Sequence, residues 1–370
     1  HSFSRRQRQM CIRDSIRYYQ GRILENKETV LVTGGSGFIA SHCIIQLAAA
    51  GYKIKATVRD LSRTNKLNQT LLSGLEKYEG KSDLSVDWKI ANLSSDDGWN
   101  EAMEGCDYVL HVASPISTNL PKNEDEMVKP AVEGTLRVLN AASKAGVKRV
   151  IITSSVAAIM YGTDKQGVFN ENDWTEPFSD KTNVYAKSKT LAERAAWDFI
   201  EKDNSGMELS TVLPAMVFGP ILEEDFGVSV GVILDMMNGK YPIVPNWDMG
   251  IVDVRDVAAL ELLAMTKPEA AGKRFVCSAE NMFMKEQNEY LSEIFPESAS
   301  KIPKRVAPNW LIKFLAFFLP PLKMIAEGLG KERSMDSSQA KNLLGWSPRS
   351  AKEAVKSAAE SAKEYGLIND

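Results

Sequence analysis

The sequence predicts an α/β chain, a doubly wound parallel sheet with a smaller, mostly helical C-terminal lobe, and three observations carry that reading. Strand-like and helix-like segments alternate from Glu28 to about Ala158, the pattern of a parallel sheet covered on both faces. A Gly-rich turn, Gly34-Gly35-Ser36-Gly37-Phe38-Ile39-Ala40, joins the first apolar run directly to a helical pattern. After Leu213 the alternation loosens, and proline and glycine punctuate the chain as far as Asn246.

Taken in order, residues 29–33 form a short β-rich run, and residues 41–50 have helical spacing that stops at Gly51. Residues 52–58, 84–90, 108–113 and 150–154 read as the second to fifth strands. Residues 127–145 place apolar side chains about every 3.6 positions and close at Gly146, as a long helix does. Residues 183–200 are helical, and residues 252–265 return to the sheet as a short strand and helix. Residues 280–348 read as helical with Pro breaks, and 352–365 as a closing helix of Ala, Lys and Glu. The nucleotide domain is therefore expected over residues 28–213 plus about 250–266, with 214–249 and 267–370 mainly building the substrate lobe.

The first stretch, HSFSRRQRQMCIRDS, is Arg-rich and lacks apolar periodicity. It has no 7–15-residue apolar core, so it is not a secretory signal. RQRQMCIRDS resembles a translated adaptor tail, and residues 1–27 are expected to be a disordered or artefactual extension without function. The 370 residues carry 45 Lys+Arg against 48 Asp+Glu, a balance that implies no nucleic-acid partner. Cys11, Cys43, Cys106 and Cys277 show no CxxC spacing, and His1, His42 and His111 are far apart, so neither a disulfide framework nor a metal centre is expected. Buried thiols in a reduced, cytoplasmic compartment are the plain expectation. The most apolar segment, residues 310–326, contains Lys313, Pro320-Pro321 and Lys323 and is too interrupted to span a membrane.

In the Gly turn, Gly34, Gly37 and Ala40 follow a GxxGxxA dinucleotide fingerprint. Gly34 permits the tight turn, Gly37 lets the backbone approach a pyrophosphate, and Ala40 keeps helix and strand close. The following strand ends in Ala56-Thr57-Val58-Arg59-Asp60, with apolar Val58 where an NAD-selective site places its carboxylate. Arg59 can fork onto a 2′-phosphate, and Lys66 in the next loop adds a point charge. The pair favours NADP(H), while Asp60 leaves room for NAD(H).

Reducing a carbonyl requires a hydride donor, a proton donor and a polar group on the oxygen. Tyr185 and Lys189 stand four apart on one helix, where the lysine cation is expected to lower the phenol pKa and to reach a nicotinamide ribose. Ser155, at the end of the fifth strand, is expected to hydrogen-bond the carbonyl oxygen and steer it to Tyr185. The pocket implied by Val156, Met160, Met216 and the loop 219–230 is apolar.

Together Thr33–Ala40, Ser155, Tyr185-x-x-x-Lys189, Leu213-Pro214, Gly219-Pro220 and Val252-Asp253-Val254-Arg255-Asp256-Val257-Ala258 resemble an extended short-chain dehydrogenase/reductase with a Rossmann fold. Thr57-Val58-Arg59-Asp60, Lys66, Gly105-Cys106-Asp107 and His111-Val112-Ala113-Ser114-Pro115 narrow the resemblance to the dihydroflavonol reductase-like, NADPH-dependent aldehyde and ketone reductases. It implies catalytic Ser155, Tyr185 and Lys189, with cofactor contacts from Gly34, Ser36, Gly37, Phe38, Ile39, Arg59, Lys66, Asn92, Leu93, Ala113, Ser114, Tyr185, Lys189, Pro214 and Val217. It also implies a monomer or homodimer acting on a small carbonyl substrate. Asn92-Leu93 replaces the usual Asp-Leu, Val156-Ala157-Ala158-Ile159 lacks the Asn of plant dihydroflavonol reductases, and no Asn-Trp-Tyr-Cys-Tyr precedes Tyr185. These departures argue against a specialised phenylpropanoid enzyme. Nucleotide-sugar epimerases and dehydratases, and hydroxysteroid-type dehydrogenases, share the fold and triad and stand as the alternative, with a non-catalytic dinucleotide sensor as the second.

Overall fold

The computed structural model describes residues 28–115, 123–224, 226–319, 322 and 325–368, so the expected N-terminal extension lies outside the described residues. In chain order it contains β1 (Thr29–Val32), α1 (Phe38–Ala49), β2 (Lys53–Val58), α2 (Thr64–Glu79), β3 (Val86–Ile90), α3 (Trp99–Met103), β4 (Tyr108–His111), α4 (Asp125–Ala145), β5 (Arg149–Thr153), β6 (Gly167–Phe169), α5 (Val184–Lys202) and β7 (Glu208–Pro214). There follow β8 (Met216–Phe218), α6 (Val228–Met237), β9 (Asp248–Asp253), α7 (Val254–Thr266), β10 (Lys273–Cys277), β11 (Glu280–Phe283), α8 (Met284–Ile294), α9 (Asn309–Leu315), β12 (Arg333–Met335), α10 (Ser338–Leu344) and α11 (Ala351–Glu364).

Seven strands form one parallel sheet in the order β3-β2-β1-β4-β5-β7-β10. The order reverses between β1 and β4, so their carboxyl ends open a crevice there, the place where such sheets bind ligands. The central strands β1, β4 and β5 are nearly continuous buried runs, as a sheet covered on both faces requires, with all five residues of β5 buried, whereas edge strand β3 has none buried. Helix α4 carries Asp125 and Glu126 in its first turn and Lys144 in its last, complementing the helix dipole, and ends on Gly146 at φ 72°.

Two features depart from the sequence reading. The stretch 280–348, read as helical, contains β11, antiparallel to β9, and β12, parallel to β6. These strands are three or four residues long, and their partners across the ladder, not their own sequence, specify them. Strand β10, from a segment assigned to the second lobe, pairs with β7 and becomes the seventh strand of the main sheet.

The second lobe is joined back to the sheet through the Val252–Ala258 segment. Asp253 is fully buried, accepts from the Arg255 amide at 2.9 Å and ion-pairs with its guanidinium at 2.6 Å. Asp256 accepts from the Arg349 amide at 2.6 Å and pairs with its guanidinium, while the Trp346 indole N–H donates to the Asp256 carbonyl at 2.9 Å. Cys43, Cys106 and Cys277 are free, buried thiols, as small apolar side chains would be; Cys11 lies outside the described residues. Among the described residues, no helix is long and apolar enough to cross a membrane.

Candidate active site

The Gly turn sits at the crevice because Gly34 takes φ 67°, a left-handed conformation that a side chain resists. A Cβ on Gly34 would also lie 3.1 Å from Ala113, so the carboxyl ends of β1 and β4 meet with no space between them. Thr33 fastens the contact: its hydroxyl accepts from the Ala113 amide at 3.0 Å and shares a hydrogen bond with His111 Nδ1 at 2.9 Å. Burial, with Lys189 nearby, pulls the His111 pKa down to about 3, so this joint stays neutral. Gly35, which the fingerprint leaves unassigned, is also sterically required: an added Cβ would be 2.8 Å from Trp88 and 2.9 Å from Ala56.

Helix α1 begins at Gly37 with no side-chain cap and no acid in its first turn, so its leading N–H groups are left for an anion. Ser36 and Phe38 flank that end, Ile39 packs on the main core, and Ala40 is fully buried beneath it.

At the end of β2, Arg59 is exposed. Asp60 is spent locally: its carboxylate accepts from the Ser62 amide at 2.9 Å and from the Ser62 hydroxyl, which holds its pKa below the usual range. Lys66 reaches Glu223 at 3.4 Å, and Arg63 reaches the same carboxylate at 3.8 Å, so two cations on the adenosine side are tied to the loop after β8. Asn92, at the end of β3, is exposed and accepts from the Ser94 amide at 3.1 Å. Leu93 packs against α4 where Gly134 makes room, since a Cβ there would be 2.8 Å from it.

Leu93, Ala113, Ser114 and Lys189 line one cavity with His111, Thr153, Ser154 and Glu193. Pro214 is buried at the end of β7, and Val217 is buried within the main core with Val252 and Val254. Among the pocket residues expected from sequence, Val156 and Met160 pack against the cluster of Ile159, Phe169, Leu213 and Val276, whereas Met216 packs on the second lobe.

Ser155 ends the chain segment after β5 in extended conformation and caps the following turn, its hydroxyl accepting from the Ala157 amide at 3.1 Å. The same hydroxyl lies close enough to the phenol of Tyr185 to favour its ionised form. Tyr185 lies in the first turn of α5, which Asn183 caps by accepting from the Ala186 amide at 2.9 Å. The structure corrects one electrostatic expectation. Burial raises the Tyr185 pKa where a lowering was expected, and the Ser155 hydroxyl opposes that rise. The Lys189 ammonium is turned to the Thr153 carbonyl at 3.3 Å instead, and burial pulls its pKa down to about 8 against the charges of Glu193 and Glu261.

Those two carboxylates are functional supports that the motifs do not reveal. Glu193, one turn after Lys189, accepts from Ser154 at 2.5 Å, Thr211 at 2.8 Å and Arg274 at 2.8 Å, locking α5 against β5, β7 and β10. Arg274 in turn lies over the Trp174 ring at 3.6 Å. Glu261 accepts from the Cys43 thiol at 3.2 Å and from the Thr153 hydroxyl, joining α7 to α1 and β5. Burial pushes its pKa up to about 7. Glu261 stands on an otherwise apolar face of α7, which signals burial but not its partners, and Glu193 has no such signal.

Residues 30–278 match the NAD dependent epimerase/dehydratase family. The cinnamoyl-CoA reductase CAD2 of Medicago truncatula is 36% identical over 287 residues, covering 76% of this chain and 84% of that protein. The dihydroflavonol 4-reductase of Hordeum vulgare is 32% identical over 291 residues, covering 76% and 78% respectively. Among solved structures, the yeast methylglyoxal/isovaleraldehyde reductase Gre2 complexed with NADPH is similar with a TM-score of 0.74 and 28% identity, covering 92% of this chain and 100% of that one.

Proposed function

We propose a function from one premise: the chain belongs to the NAD dependent epimerase/dehydratase family, as an extended short-chain dehydrogenase/reductase. It is an NADP-dependent oxidoreductase of carbonyl-type substrates. In our reading its substrate is an aldehyde or ketone, Tyr185 is the proton donor, and the reaction runs reversibly to the alcohol.

The residues present fit the dinucleotide. The Gly34–Ala113 approach leaves no room for a Cβ, the uncapped start of α1 offers N–H groups to the pyrophosphate, and Arg59 offers its guanidinium to a 2′-phosphate. When bound, NADPH supplies the hydride. Ser155 then holds the substrate oxygen and Tyr185 delivers the proton. Burial keeps the Tyr185 phenol in its protonated form, the form from which a proton is donated. Lys189, anchored to the Thr153 carbonyl at the cavity wall, is placed to hold ribose hydroxyls. The observation that carries this reading is the Ser155 hydroxyl beside the Tyr185 phenol at the carboxyl end of β5.

The test is oxidation of NADPH, and separately NADH, with aldehydes, diketones and flavonoid ketones, on the native protein and Tyr185→Phe. Turnover with NADPH that drops by at least about 100-fold in the variant, with cofactor binding retained, is expected. Cofactor binding without turnover on any carbonyl would overturn it in favour of nucleotide-sugar chemistry.

A further inference from the structure

Arg333 opens β12 opposite Gly167 of β6 and is only 5% exposed, yet its Nε and Nη1 have no hydrogen-bond partner among the described residues. A guanidinium cannot shed its charge, so burying it without a partner is costly unless something else fills the place. The acids nearby do not fill it. The Asp248 carboxylate accepts from the Arg333 backbone N–H and from the Asn281 amide at 2.8 Å. Asn281 also donates to the Arg333 carbonyl at 2.8 Å, so the main chain is held fast on both sides. Glu327 is paired with Lys331 at 3.9 Å and reaches the guanidinium only through space.

The guanidinium lies beside a ring that neighbours Tyr185. Its Cζ is 5.8 Å from the centre of the Tyr161 ring. Tyr161 is hydrogen-bonded by Asn183, two residues before Tyr185, and feels the charges of both Arg333 and Tyr185. A buried guanidinium whose main chain is held on both sides therefore lies beside Tyr161, which in turn neighbours Tyr185.

We propose that Arg333 anchors a carboxylate on the substrate, so that the carbonyl compound reduced here is an oxo acid, bound through its acid end while its carbonyl rests on Ser155 and Tyr185. This rests on the reductase reading and narrows its substrate class. A carboxylate pairs with one edge of a guanidinium, Nε with Nη2 or Nη1 with Nη2, so it gives an orphan donor its acceptor and neutralises the charge beside the Tyr161 ring. An ester or amide of the same chain length leaves the guanidinium buried and unpaired, and is rejected for that reason.

The test needs no variant at first. With NADPH, a series of oxo acids is compared with their methyl esters on the native protein, and binding of each acid to the NADP+-loaded protein is measured by calorimetry. One oxo acid should exceed its ester by about 100-fold in kcat/KM. Arg333→Met should erase that preference from both sides, raising KM for the acid and relieving the rejection of the ester. Arg333→Lys, which keeps the charge and loses the fork, should restore part of the acid's affinity. Equal turnover of acids and esters by the native protein, or an Arg333→Met loss that falls equally on both, would overturn the proposal. Acid binding that depends on Arg333 with no turnover would keep the anchor and sink the reductase reading instead.

Discussion

At the scale of single residues, discrimination between the two dinucleotides comes down to how each nearby charge is already employed. Asp60 is committed to Ser62, Lys66 and Arg63 are committed to Glu223, and Arg59 is exposed at the strand end. Arg59→Ala should therefore lower kcat/KM for NADPH by about 10- to 100-fold while leaving NADH within a few-fold. Lys66→Ala should cost less, since its charge is already shared with a buried carboxylate. Steady-state kinetics with both cofactors check this, and an equal loss on each would show that Arg59 does not read the phosphate. Gly34, Ser155 and Tyr185 could be singled out as candidates in advance because backbone freedom and fixed spacing are features that sequence displays. Arg333, Glu193 and Glu261 could not, since their roles depend on what the distant chain leaves unpaired or pairs with them.

Secondary-structure elements are joined here by buried acids more than by loops. Glu261 ties α7 to α1 through Cys43 and to β5 through Thr153, just below the carbonyl that holds Lys189. Its folded pKa of about 7 stands above the ordinary 4.5, so its contribution to stability is full below pH 4.5 and is lost as pH rises through 7. Glu261→Gln keeps the shape and removes that loss. Urea melts should show the variant gaining on the native protein between pH 4.5 and 7, by up to roughly 3 kcal/mol at 1.36 kcal/mol per pKa unit. Parallel stability curves would refute the assignment. The long elements α4 and β5 were readable from periodicity and continuous apolarity. The short strands β11 and β12 were not, because three or four residues carry too little pattern to outweigh a helical neighbourhood, and only pairing with β9 and β6 makes them strands.

Across the whole molecule, one of the joints between the C-terminal segment and the sheet domain lies at Trp346. Trp346 is 3% exposed and belongs to the main hydrophobic core, and its indole N–H satisfies the Asp256 carbonyl beside the Arg349 pair. Trp346→Ala should cost about 3–5 kcal/mol from the cavity alone, read as a lower midpoint in denaturant; a midpoint unchanged within error would show the joint to be incidental. The placement of β10 has a different consequence, for the order in which a ribosome releases the chain. When β7 has emerged, its outer edge is bare, and its parallel partner is still some sixty residues from being made, from Pro214 to Lys273. During that interval the nascent protein exposes a row of unpaired N–H and C=O groups on a buried-type apolar strand. Slowing synthesis within the second lobe would prolong that exposure and lower the yield of native protein, even though no residue of the finished fold had changed.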